Sequence, residues 1–258
     1  MIYCRFHDGS GLGDMLHRYI TVRSLADKKG YEFGAIGNFK GDFFLEQPKQ
    51  TSSPIQFNVF EEKCVTNSNG VDIRSYDPEI NFVEDNTIID GSFEDDKYWR
   101  HNLDNISKWL AVEPLNVPED KVILGFRGGE YAGNSDLFLP QEYFMQGIGF
   151  MVKSGEKTVD VHTDDPHLAK EFFKPLPITV IENERISHSK HTNMEFNWRS
   201  ARYAKYAIIP NSAFFILPRL LKHHEDPTAV TIAPRGWARR NTKTWARPAC
   251  YYPEFTYL

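Results

Sequence analysis

The run Val122-Ile123-Leu124-Gly125-Phe126-Arg127-Gly128-Gly129-Glu130-Tyr131 constrains the fold more than any other stretch of the chain. Its branched apolar residues read as a strand buried on both faces, and two glycines stop it just after a single arginine. Such a strand is at home in a parallel sheet covered by helices. Arg127 then stands at the strand's carboxyl end, outside which open α/β sheets hold their ligands. A guanidinium there, with glycines letting the backbone come close, suits a planar two-point grip on a phosphate or carboxylate. The stretch by itself leaves open the plainer alternative of a surface arginine on a loop.

The rest of the chain repeats the theme. Ile2 to Phe6 reads as a strand, His7 to Gly13 as a glycine loop, and Asp14 onward as a helix with Met15, Tyr19, Val22 and Ala26 on one face. Gly30 ends that helix before a strand from Tyr31 to Ile36. This is a mononucleotide-binding beginning, in which a helix amino terminus behind small residues offers free N–H groups to a phosphate. A dinucleotide fingerprint is the competing reading, with Gly9, Gly11 and Glu32 near their expected places. Its third glycine falls on Asp14, an acid that would face the pyrophosphate. Residues 38–86 show poor periodicity and read as irregular excursions on a small domain. Thr87 to Gly91 is a short strand, followed by a helix ending near Trp109.

Residues 113–120, with Pro114 and Pro118, form the candidate linker, dividing the chain into domains 1–115 and 116–258. Beyond it, strands are expected at Lys157 to His162, Ile178 to Ile181, Ala207 to Ile209 and Ala229 to Ala233. Helices are expected from Leu139-Pro140 through Met151, at His167 to Phe173, Glu195 to Lys205 and Ala213 to Leu221. Strands alternating with helices imply parallel sheets, and two such units would leave a cleft between them. The aromatic tail, with Tyr251, Tyr252, Phe255 and Tyr257, is expected to pack back onto the second domain.

Composition limits the function. At 258 residues, 41% hydrophobic and 25% charged, the chain is an ordinary globular one. A net charge of -5 gives no general attraction to nucleic acid, so any phosphate site must be local. Cys4, Cys64 and Cys250 lack the spacing of a disulfide framework or a zinc cage. With no leader-like start and no apolar run of roughly 20 residues, a cytoplasmic protein without a membrane span is expected.

Several segments, in order, resemble the fucosyltransferase superfamily, most closely the family 11 α-1,2-fucosyltransferases. Gly11-Leu12-Gly13-Asp14 is similar to that family's G-x-G-N-Q loop, and Ile89 to Trp99 to its G-Y-W-Q-S-E-K-Y-F stretch. Gly125 to Tyr131 lies where the family has H-x-R-R-G-D-Y, with Leu139-Pro140-Gln141-Glu142-Tyr143 following. Thr163-Asp164-Asp165-Pro166 and Ile208 to Phe214 look like the S-D-D and I-x-A-N-S-S-F segments, and the T-D-D-P run also resembles α-1,6-fucosyltransferases. The resemblance spans nearly the whole chain. It implies an α/β fold of GT-B type, two Rossmann-like domains with parallel sheets facing a cleft. It also implies a GDP-sugar donor, inversion at the anomeric carbon and transfer without a metal or other cofactor. Three positions depart from the pattern: the family's histidine is Gly125, its second arginine Gly128 and its aspartate Glu130. Losing a cation near the diphosphate points to another GDP-hexose or an altered acceptor as the alternative to fucose.

On this reading Arg127 stabilises the leaving diphosphate. Gly11 and Gly13 offer backbone donors, with Asp14 beside them. Asn211, Ser212 and Ala213 open a helix whose hydroxyl and N–H groups face the donor. Asp164 or Asp165 accepts from guanine or ribose, unless Asp165 simply caps the helix that Pro166 begins, or the pair binds a divalent ion. His162 either contacts the nucleotide or is structural. Glu130 is the first choice of catalytic base and Asp14 the second, though Glu130 would equally orient Arg127 by an ion pair. His188, His191, His223 and His224 lack carboxylate partners for zinc and are expected on the surface. The expected activity is transfer of L-fucose from GDP-fucose to a glycan hydroxyl, with no nucleic-acid partner. A different nucleotide sugar, a nucleotide-cofactor oxidoreductase and a non-catalytic sugar- or nucleotide-binding protein are the rivals.

Overall fold

The computed structural model describes residues 1–52, 54, 56–63, 65–66, 72–153, 155, 157–174, 176, 178–181, 192–239 and 245–258. The chain divides into two units, Met1–Val112 and Glu113–Leu258, each built on its own parallel sheet. Among the described residues no helix is long and apolar enough to cross a membrane.

Unit 1 opens with β1 (Ile2–Arg5), α1 (Leu12–Lys29) and β2 (Phe33–Ile36). Gly30 ends α1 in the left-handed region, φ 66°, where its N–H closes on the carbonyls of Ala26 and Asp27. β3 (Asn58–Glu61), a short antiparallel pair of β4 (Val65–Thr66) and β5 (Asp72–Ile73), and β6 (Thr87–Asp90) follow. The sheet order is β2-β1-β6-β3, all parallel. β3 lies within the stretch expected to be irregular. It is an edge strand whose Val59 is exposed, so it lacks the apolar signature of a buried strand. After β6, single 3-10 turns at Asp96–Tyr98 and Arg100–Asn102 precede α2 (Leu103–Trp109), a shorter helix than the sequence suggests.

Unit 2 comprises β7 (Lys121–Phe126), the single turn α3 (Gly129–Ala132), α4 (Gln141–Lys153), β8 (Thr158–Thr163), α5 (Pro166–Phe173) and β9 (Thr179–Val180). It continues with α6 (Thr192–Tyr203), β10 (Tyr206–Ile208), α7 (Ala213–Glu225), β11 (Val230–Ala233) and β12 (Thr256–Tyr257). Its six strands, taken in chain order, lie in the spatial order 3-2-1-4-5-6, the order of a dinucleotide-binding sheet. Alternate residues of the central strands β7 and β8, Val122, Leu124, Phe126, Val159 and Val161, enter one core with Phe144, Met151, Ala169 and Phe173. On α7, the fully buried Arg219 donates to the carbonyls of Ala201, Ala204, Lys205 and Val230 and to the Thr231 hydroxyl. One side chain thereby ties α6, α7 and β11 together. The tail does more than pack onto a surface, because Thr256 and Tyr257 pair with Ile232 and Ala233 and add the sheet's last strand.

Candidate functional site

In unit 2 the order of strands reverses between β7 and β10. A crevice at the carboxyl ends of such a strand pair is where ligands bind in this class of sheet. Arg127 follows directly from β7. Its Nη1 lies 2.8 Å from Asp164 Oδ2 and its Nη2 3.2 Å from Glu130 Oε1, and the guanidinium stands 5.1 Å from the centre of the Tyr131 ring. Pairs as open as these, 28% exposed on the arginine side, contribute about 0–1 kcal/mol to stability, so their main effect is orientation. Among the described residues two of its five N–H donors are engaged, and Nε is buried without a partner.

Asp164 carries most of that orientation, because its Oδ1 also accepts from the backbone N–H groups of Gly128, 2.9 Å, and Gly129, 3.3 Å. Glu130, 79% exposed, touches Arg127 only as the outer partner of an ion pair. Asp165 caps α5 by accepting from Leu168 N at 3.0 Å, with Pro166 in the first turn. The two acids therefore divide the work, one as the partner of Arg127 and the other as the cap.

Two glycines beside Arg127 are packed into place. A Cβ on Gly125 would lie 2.8 Å from the Phe215 ring and from Pro210 Cδ, and one on Gly128 would lie 2.8 Å from Asp165 Cβ. Neither position has room for the histidine or arginine of the family pattern.

α7 begins at the carboxyl end of β10. Ser212 is its cap residue but makes no side-chain cap bond, so the first N–H groups of the helix have no capping oxygen from it. Ala213 is half-buried beside it. Asn211 is turned inward, donating to the carbonyls of Leu137 and Trp237 at 2.8 and 2.7 Å. Its amide nitrogen holds the loop in place. His162 is a correction to the expected donor contact. It is 2% exposed, stacks on Phe196, and its Nδ1 lies 3.1 Å from Asn197 Oδ1. Burial holds it down to about 4, so it is a neutral core histidine.

In unit 1, Gly11 precedes α1 and Gly13 lies buried in its first turn. Asp14 folds back over its own helix start, with Oδ2 3.6 Å from where a Gly11 Cβ would stand. A carboxylate there complements the helix dipole. Lys40 donates to the Ser10 carbonyl at 2.6 Å and puts a cation on the glycine loop, which its sequence context did not announce. The loop after β6 is tightly determined. Glu62 accepts from the N–H groups of Ser92 and Phe93, Trp99 donates to the Phe93 carbonyl, and Phe93 is held at φ 52°. Burial pushes the following Glu94 up to about 7, with the carboxylates of Asp14 and Glu62 adding and Arg74 opposing.

The remaining histidines separate. His188 and His191 lie outside the described residues. His224 is exposed as expected, but His223 is buried against Thr231 Oγ1, 2.9 Å, and the Phe255 ring, and burial lowers it to about 4. Sequence reasoning also passed over a depression of about 440 Å³ in unit 2, lined by Phe138, Leu139, Arg239 and Trp245 among others.

No family model matches the chain, and no curated protein matches it. Among solved structures the chain is similar to NodZ α-1,6-fucosyltransferase soaked with GDP-fucose, at 14% identity over 85% of this chain and 91% of that one, with a TM-score of 0.46. It is also similar to the same enzyme co-crystallised with GDP, at 14% identity over the same shares of both chains and a TM-score of 0.44. Fucosyltransferase NodZ from Bradyrhizobium matches at 14% identity over 85% of this chain and 92% of that one, with a TM-score of 0.44.

Proposed function

We propose that the chain is an inverting glycosyltransferase that moves L-fucose from GDP-fucose to a hydroxyl of a glycan acceptor, without a metal ion. The observation that carries this reading is Arg127, oriented by Asp164 at the switch point of a sheet wound 3-2-1-4-5-6, with the open start of α7 on the neighbouring strand. Transfer from a nucleotide sugar builds negative charge on the departing diphosphate as the anomeric carbon becomes oxocarbenium-like. Arg127 stabilises that charge. The contact with Asp164 is anchored by two backbone N–H groups and stays, whereas the contact with the exposed Glu130 is cheap to displace. The freed Nη2 then meets a phosphate oxygen in a charge-assisted bond. Ser212 and the N–H groups that begin α7 add neutral donors from the next strand. The ordered resemblance of the motifs to the fucosyltransferase superfamily supports fucose as the sugar, and the GDP-hexose alternative follows from the missing cation at Gly128.

Calorimetric titration of GDP in EDTA, with UDP and NAD as controls, tests the reading on the wild type and on Arg127→Ala. Loss of a hydrogen bond to a charged group costs about 1.5–3 kcal/mol, so GDP should bind about ten- to a hundredfold more weakly to the variant. Preference for UDP or NAD, or GDP affinity indifferent to Arg127, would overturn it.

A further inference from the structure

In unit 1 a small polar cavity lies where α1 meets the turns on either side of β6. Among its lining residues are Thr21 and Lys28 of α1, Tyr76, Asn81 of the 3-10 turn Pro78–Phe82, and Lys97 and His101 of the turns after β6. Its volume is about 30 Å³. One water needs about 10–15 Å³ and a drug-sized ligand about 300–1,000 Å³, so the cavity takes a single small species. Its polar groups have hydrogens to spare. Thr21 is fully buried, and its hydroxyl has no partner among the described residues. The Tyr76 hydroxyl accepts from Asn81 Nδ2 at 2.6 Å, which leaves its own hydrogen uncommitted among the described residues. The carbonyl oxygen of Asn81 is already taken by Lys28 Nζ at 3.0 Å, a bond that uses one of three ammonium hydrogens. Among the described residues no carboxylate lines the cavity. The acids of the same turns face their own backbone, Asp77 accepting from Glu79 N and Asp95 from Tyr76 N and Lys97 N. Partial burial and the charge of Lys28 hold His101 below its ordinary value, a sign of the local excess of positive charge. A water must donate as well as accept, whereas an anion only accepts and carries the charge that these cations lack.

We propose that this cavity binds a small monovalent anion, chloride in size, through the Thr21 and Tyr76 hydroxyls and the Lys28 ammonium. Lys28, Lys97 and His101 are exposed, and charges screened by water each contribute little. Binding is therefore weak, and the buried hydroxyl of Thr21 decides whether the ion is held at this place. The anion ties the middle of α1 to the turns Pro78–Phe82 and Asp96–Tyr98. All of these residues belong to unit 1, so the ion binds whether or not the chain transfers sugar.

Broadening of the chloride NMR line by the full chain tests the site, because an ion in rapid exchange with a protein relaxes faster than the free ion. The wild type should broaden the line, and bromide should reverse the broadening by competition. Thr21→Val removes the hydroxyl and keeps the shape of the side chain. Loss of a hydrogen bond to a charged group should lower the bromide-sensitive broadening about ten- to a hundredfold, with the urea midpoint measured in parallel to show that the chain is folded. Thr21→Ser keeps the hydroxyl and should keep most of the broadening. Should Thr21→Val fail to fold, Tyr76→Phe makes the same comparison at the second hydroxyl. Broadening that bromide does not displace, or that a folded Thr21→Val protein retains in full, would overturn the site and leave the cavity to water. A wild type that does not broaden the line would do the same.

Discussion

Gly128 and Gly129 are neighbours in sequence but answer to different constraints. A methyl group on Gly128 would meet Asp165 Cβ at 2.8 Å, close to backbone that is pinned by the cap of α5 and by the bond from Asp165 N to Thr163 Oγ1. A methyl group on Gly129 would meet only the Asp164 carboxylate, at 2.9 Å, the end of a side chain held by solvent-accessible hydrogen bonds and an ion pair and not by packing against pinned backbone. Gly128→Ala should therefore lower stability by about 1–3 kcal/mol through overpacking. Gly129→Ala should leave the urea midpoint nearly unchanged but displace the partner of Arg127 and weaken GDP binding. Urea denaturation and calorimetry on the two variants check the distinction, and equal losses of stability would contradict it. The same crowding bears on larger side chains. Gly125 and Gly128 are packed into place, so a histidine or arginine there would disturb Phe215, Pro210 and Asp165 before it could reach a ligand.

At the scale of elements, the Asp164-Asp165-Pro166 corner separates folding from binding. Asp165 caps α5, and its replacement by Ala should cost about 1 kcal/mol, a fall of about 2–4 °C in Tm for a chain of this size. GDP affinity should be kept, since Asp164 retains its hold on the N–H groups of Gly128 and Gly129. Asp164→Ala should do the reverse, and thermal melts read beside GDP titrations would expose any failure of that division. The cap at this corner was legible in the sequence as one of three alternatives, because an aspartate before a proline is a local signal that depends on nothing distant. β7 and α1 were legible for the same reason, the one from its apolar run and closing glycines, the other from its apolar face and Gly30. What escaped depends on partners far along the chain. β3 is defined by pairing with β6, and β12 by pairing with β11. The role of Asp164 became definite only once β8 was laid beside β7.

Across the whole molecule, pH sets buried histidines against a half-buried acid. His17 in unit 1 and His162 and His223 in unit 2 are all lowered by burial, the last two to about 4. A histidine near its ordinary value when unfolded binds more protons in the unfolded state, so each contributes stability that is complete above about pH 6.5 and is lost on acidification, for His162 and His223 as pH falls toward about 4. Glu94 works in the opposite direction. Raised to about 7 in the fold, it contributes stability that is present below its ordinary value of 4.5 and is lost as pH rises through 7. Asp226, held at about 2 by Thr228 and Lys222, acts only at lower pH. Between pH 4.5 and 6.5 the lowered histidines among the described residues, with His101 beside these three, therefore oppose one glutamate, and the wild type should lose stability on acidification. Glu94→Gln keeps the neutral form at every pH, so its midpoint should rise relative to the wild type on going from pH 5 to pH 8. His223→Gln should instead shrink the loss on acidification. Thermal midpoints of the three proteins at pH 5, 6.5 and 8 decide the matter. Curves that stay parallel across the range would mean that the buried protons assigned to Glu94 and His223 are not held where the fold places them.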